Sequence, residues 1–141
     1  MNAPTSPDGH ELTVLGKRPW TVNQERKRGA YYERAEITRW WREMFKIAAI
    51  QASIPSFQCI ELTVTPILPD KKLQDTGACF PTAKAAIDGL VDAGIIKDDA
   101  PTYVPTIIFK APIVIKGKSG LRVLISPVNV LDLVVEEPSQ S

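Results

Sequence analysis

A single histidine, His10, and two cysteines, Cys59 and Cys79, leave this chain without the parts for several common chemistries. A serine or cysteine nucleophile needs an imidazole beside it, and here the imidazole falls in a polar N-terminal stretch expected to lack structure. Four nitrogen or sulfur ligands make a structural zinc site, and these three residues are too few. No run approaches the ~18 consecutive apolar residues of a membrane span. Met1 to His10 is polar and proline-containing, without the apolar segment of a signal peptide. With no export signal, the two cysteines read as reduced thiols, and a cytoplasmic location is expected. Closely spaced glycines are scarce too. Gly117 and Gly120 lie in a turn-rich linker, not in the strand–loop–helix setting of a phosphate loop.

Net charge is nearly absent, at +1, but the charges are unevenly placed. Lys17 to Lys46 holds nine basic and four acidic residues, a local excess of five, so the remaining residues carry about −4. Nucleic-acid binding depends on such a local patch, not on the total. A solvated loop and helix face has the same composition, so the patch alone does not decide. At 141 residues, 44% of them hydrophobic, the chain suits one globular domain. The expected organisation is a disordered 1–10, a single domain over 11–135 and a frayed tail over 136–141.

Along that domain the patterns alternate. Glu11 to Leu15 suits an edge strand, and Gly16 to Tyr32 reads as a long basic loop. Ile37, Trp41, Met44, Phe45 and Ala48 give Glu33 to Ile50 a helical period. Ile60, Leu62 and Val64 alternate with Glu61 and Thr63 in a strand over Cys59 to Thr65. Pro66 to Asp75 reads as a loop carrying Lys71 and Lys72. Tyr103–Lys110 and Leu121–Ile125 are two further strands, which the turn at Lys116–Gly120 joins as a hairpin. Val128 to Val135 is apolar enough for a last strand. The order β-α-β-α-β-β predicts an α+β fold, a small mixed sheet with two helices packed on one face.

Asp75 to Asp99 is the most informative stretch: DTGACFPTAKAAIDGLVDAGIIKDD. Pro81 fits the first turn of a helix, where its missing N–H costs nothing. Ala83, Ala86, Ile87, Leu90 and Val91 form the stripe of a core-facing helix. Gly94 supplies a left-handed stop. Lys84 and Asp88 share one flank of that stripe, one turn apart. If the chain folds back, Asp75, Lys84, Asp98 and Asp99 share a site. Carboxylates in excess of cations ask for a metal, and oxygen-only ligands suit Mg²⁺ or Mn²⁺.

The helix from Lys84 to Gly94, followed by Asp98-Asp99, resembles the core motif of the RusA-like Holliday junction resolvases, including their diverged phage versions. Flanking parts extend the resemblance from about Glu11 to Ile125. Pro19-Trp20-Thr21-Val22-Asn23 is similar to the family's Pro/Asn-rich first loop, and the strand Ile60–Val64 runs into a basic turn. The resemblance implies Mg²⁺-dependent cleavage of four-way or other branched DNA by a homodimer, in a host cytoplasm if a phage encodes the chain. It puts metal ligands at Asp75 and Asp99, with Asp98 beside them, and a charge-stabilising lysine at Lys84. DNA would be gripped by Lys17, Arg18, Asn23, Arg26, Lys27, Arg28, Lys71 and Lys72.

One position departs from the pattern. With Asp75 as the family's first aspartate, its second falls on Gly77, which ligates nothing. That departure keeps open a non-catalytic branched-DNA-binding protein on the same fold. A small interaction module without a DNA role is the third possibility.

Overall fold

The structure, a computed structural model, describes residues 9–29, 31–72, 74–129 and 131. It is an α+β fold with one mixed sheet of five strands. Strand β1 spans His10–Leu15, β2 Ile60–Leu68, β3 Thr106–Phe109, β4 Ile113–Val114 and β5 Gly120–Pro127. The sheet order is β1-β5-β2-β3, with β4 also on β2. β2 and β5 are antiparallel, as are β1 and β5, whereas β3 and β4 run parallel to β2. Among the described residues β1 has β5 as its one strand neighbour, which agrees with the edge strand that its polar alternation predicts. His10, expected in the N-terminal tail, opens β1 and lies against the Phe57 ring at 5.8 Å.

The expected hairpin does not form. β3 and β5 flank β2 on opposite sides, and the Lys116–Gly120 turn carries the chain across β2 instead. Local turn chemistry locates a reversal but leaves the pairing partner open. β2 also runs on to Leu68, into the expected loop, with Pro66 inside it. Backbone groups alternate sides along a strand, and the Val64 and Leu68 carbonyls both accept from the β3–β4 edge, from Lys110 and Ile115. The nitrogen of Pro66 therefore faces that edge. There the ladder is interrupted: Val64 partners Phe109, but Ile67, three residues on, partners Ile113, four residues on. The extra residue is a bulge, and the missing donor of Pro66 falls at the break.

Helix α1 covers Val22–Glu25, α2 Tyr31–Gln51 and α3 Phe80–Asp92. α1 is a single turn inside the expected loop. Thr21 starts it with a capping box, its hydroxyl accepting from the Gln24 N–H while the Thr21 N–H donates to Gln24 Oε1. α2 buries Trp41, Phe45 and Ala49, one per turn. The Trp41 and Phe45 rings stack at 6.1 Å. These side chains, the α3 stripe and the inward residues of the sheet form one core cluster. Leu12, Val14, Leu62, Val64, Leu121, Val123 and Ile125 are cross-strand partners on a single face, so both helices cover that face. Gly89 marks where the helices cross: a Cβ there would stand 2.4 Å from the Arg42 carbonyl oxygen. Only two residues of the expected last strand that precede residue 130 are described, Val128 and Asn129, and they are not in a strand. Its remainder is outside the described residues apart from Leu131, and the expected 136–141 tail and residues 1–8 lie outside them too.

Candidate functional site

The turn after α3 brings two of the motif residues, Lys84 and Asp99, together. At its C-terminal end the Ile95 N–H donates to the Leu90 carbonyl and the Gly94 N–H to that of Val91, a Schellman motif. Gly94 sits at φ +79°, where a glycine meets no Cβ penalty. Leu90 and Ile95 are both buried, which completes the apolar half of the motif. The chain then turns back along the helix, and the Asp99 carboxylate forms an ion pair with Lys84. Asp88, one turn further along the helix, lies 4.0 Å from the same ammonium. Two motif positions fifteen residues apart in sequence therefore meet. Asp98 does something else: its Oδ1 accepts the Asp99 N–H at 2.8 Å, bracing its own turn.

At the N-terminal end no side chain caps the helix, and Cys79 occupies the cap position. Burial pushes the Cys79 thiol up to about 11, so it is an inert packing group. The loop before it is tied down from a distance. The Val22 N–H donates to the Ala78 carbonyl at 3.0 Å, and the Thr82 hydroxyl to that of Trp20 at 2.8 Å. Gln74 Nε2 donates to the Pro19 carbonyl at 3.2 Å. These bonds lay Pro19–Val22 across the Asp75 loop, which sets exposed Asn23, Arg26, Lys27 and Arg28 beyond it. Asp75 itself is exposed, its carbonyl accepting the Ala78 N–H.

The basic residues divide by environment. Arg18 donates to the Lys72 carbonyl at 3.0 Å and pairs with Asp70 at 3.4 Å. It staples the first loop to the β2–α3 connection, which leaves Lys71 and Lys72 exposed beside it. The Lys72 N–H and the Arg18 guanidinium hold the Asp70 carboxyl below its ordinary range. Lys17 turns to the Trp40 face, 5.3 Å from the ring centre. It lines a cavity of about 310 Å³ with Trp20, Trp40, Glu33 and Glu36. Two carboxylates there disfavour phosphate, so Lys17 sits apart from Lys71 and Lys72 in chemistry. Tyr31 and Tyr32 project into solvent.

No family model matches the chain, and no curated protein matches it. The motif residues alone carry the resemblance to the resolvases. Among the described residues, no three or more acidic, histidine or cysteine side chains gather as a ready metal site. The donor set still suits Mg²⁺ in kind, because that ion commonly takes one or two protein carboxylates and completes its shell with water and substrate phosphate. Gly77 stands at φ +86° with nothing within 4 Å of a Cβ there. The loop has room for the side chain that the family motif carries, but its backbone favours glycine. Gln74 and Thr82, and the pairing of Arg18 with Asp70, escape sequence reasoning because the partners lie more than fifty residues away. The one local hint is the polarity of Gln74 beside Asp75.

Proposed function

We propose that this protein is a metal-dependent, structure-selective endodeoxyribonuclease of the RusA type, acting on four-way or related branched DNA in recombination and repair. The observation that carries this reading is the meeting of Lys84 and Asp99, the motif's lysine and last aspartate, across the C-terminal turn of α3. Asp75 and Asp99, with Asp98 alongside, would hold Mg²⁺ or Mn²⁺. A bound divalent ion supplies Lewis-acid charge at the scissile phosphate. Lys84 exchanges its carboxylate partner for a phosphoryl oxygen and offsets the charge that grows there in the transition state. Lys71 and Lys72, with Arg26, Lys27 and Arg28, grip the backbone on either side of the Asp75 loop, which makes affinity fall steeply with salt. Two cuts in strands of like polarity require two such sites, which a two-fold homodimer in a cytoplasm provides.

One observation favours a second reading, binding without cleavage. The position of the expected second aspartate is Gly77, which offers no carboxylate. A nicking assay on a mobile synthetic four-way junction separates the two. Paired nicks near the branch with Mg²⁺ or Mn²⁺, abolished by EDTA, are expected of the nuclease. Tight junction binding without nicks in either metal would establish the second reading, and neither binding nor nicks would remove both.

A further inference from the structure

A cavity of about 180 Å³ lies against the Asp75 loop, between it and the bulged edge of the sheet. Its walls include Lys71, Lys72, Gln74 and Thr76 from the loop and Leu68 and Pro112 from the sheet side. Gln74 and Thr76 flank Asp75 directly, so the cavity adjoins a proposed metal ligand. The Gln74 amide has a fixed sense, because Nε2 must face the Pro19 carbonyl that accepts from it. That leaves Oε1 buried with no partner. A buried acceptor is normally satisfied, and a donor entering the cavity that Gln74 lines would satisfy this one once the loop shifts enough to expose it. Asp70, also in the wall, is already paired with Arg18 and the Lys72 N–H, so the mouth presents the two lysines as its uncompensated charge. The volume is below the ~300 Å³ at which drug-sized pockets begin. An anion bearing a small, partly apolar group with an N–H donor is the ligand these walls suit.

We propose that this cavity receives one unpaired nucleotide of a branched DNA strand, next to the cleaved phosphate. The base packs on Leu68 and Pro112 and donates an N–H to Gln74 Oε1, while Lys71 and Lys72 hold its phosphate. The proposal rests on the nuclease reading and deepens it. A base must leave the stack to enter, so the cavity selects branched over fully paired DNA.

The test places 2-aminopurine, which brightens on leaving the base stack, either at the branch point of a synthetic junction or within an arm. With EDTA present to prevent cutting, wild type should brighten the branch-point probe and not the arm probe. Gln74→Leu removes the acceptor but also the bond to Pro19. Val114→Phe is the safer partner variant, because Val114 lines the cavity with an exposed side chain on β4. Both variants should lose the brightening and bind the junction about tenfold more weakly, with duplex affinity unchanged. If Val114→Phe keeps wild-type brightening and affinity, the cavity proposal fails while the nuclease reading stands. If wild type does not bind the junction at all, both fall. Free dAMP at millimolar concentration should not displace the junction; displacement would assign the cavity to free nucleotides and overturn the strand as its source.

Discussion

The two ends of α3 are finished by opposite means. Its C-terminal end closes on itself: Gly94, two backbone bonds and the buried Leu90 and Ile95 side chains all lie within six residues. Its N-terminal end has no cap of its own and is held by Pro19–Val22, from some sixty residues earlier in the chain. Such a division suits a site that must be stiff where it delivers a carboxylate and adjustable where it meets substrate. The closed end returns the chain so that Asp99 reaches Lys84; the tethered end carries Asp75 on a loop that long-range bonds position.

If the closed end delivers the essential carboxylate, Asp99→Asn should lower junction cleavage by about 100-fold or more while binding stays within a few-fold. Single-turnover cleavage beside a gel-shift titration measures both, and near-normal cutting would remove Asp99 from the site. Next in size is the effect expected of the basic segment on the tethered side, if it holds DNA as proposed. Replacing Arg26, Lys27 and Arg28 with alanine should flatten the slope of log K against log salt by about 0.9 for each phosphate no longer neutralised. An unchanged slope would mean that this segment never meets the backbone.

A matched pair then sets one end against the other. Gly94→Ala should cost about 1–2 kcal/mol of global stability, because an L-residue is strained at φ +79°. Thr82→Val leaves the Trp20 carbonyl unpaired, at about 1–3 kcal/mol, with the effect concentrated where the first loop crosses α3. In amide exchange Val22 should lose more protection than urea unfolding accounts for, and only in Thr82→Val. Equal local loss in both variants would dissolve the contrast between the ends.

The smallest effect lies on the exposed flank of the closed end. Arg42 donates to both Asp92 oxygens, at 2.6 and 2.8 Å, and this hydrogen bonding holds the Asp92 carboxyl below its usual range. A depressed carboxylate stabilises the fold above its unfolded pKa of about 3.9, and the contribution disappears as pH falls through the lower folded value. Solvent screening keeps the pair below about 1 kcal/mol. Asp92→Asn should therefore be slightly less stable than wild type at neutral pH, with the difference vanishing in acid unfolding curves below the folded pKa.

The same contrast explains what the sequence disclosed. Helix α3 was readable because Pro81, the apolar stripe and Gly94 are local instructions, and the core faces of α2 and β2 followed from periodicity. The pairing of β5 with β2 was not, since residues 60–67 choose partners at 120–127 by packing that no nearby residue encodes. The turn at Lys116–Gly120 even suggested the wrong neighbour. Within the candidate site, Lys84 and Asp99 could be joined from the motif's spacing. Arg18 looked like a phosphate grip because its charge is visible in sequence while its partners at Asp70 and Lys72 are not. Asp98 shows the same limit, since two adjacent aspartates look alike in sequence until one takes the other's N–H.

Gly89 carries a different consequence. With the Arg42 oxygen 2.4 Å from where its Cβ would be, and Lys46 N and Phe45 Cβ each at 3.1 Å, the position admits hydrogen and little else. Any chain that keeps this helix crossing must keep glycine there, although the residue touches no substrate. In a set of homologous sequences, position 89 would look as invariant as Asp99. Ranking positions by invariance would then mark a steric limit as though it were chemistry, and only the contact geometry separates the two.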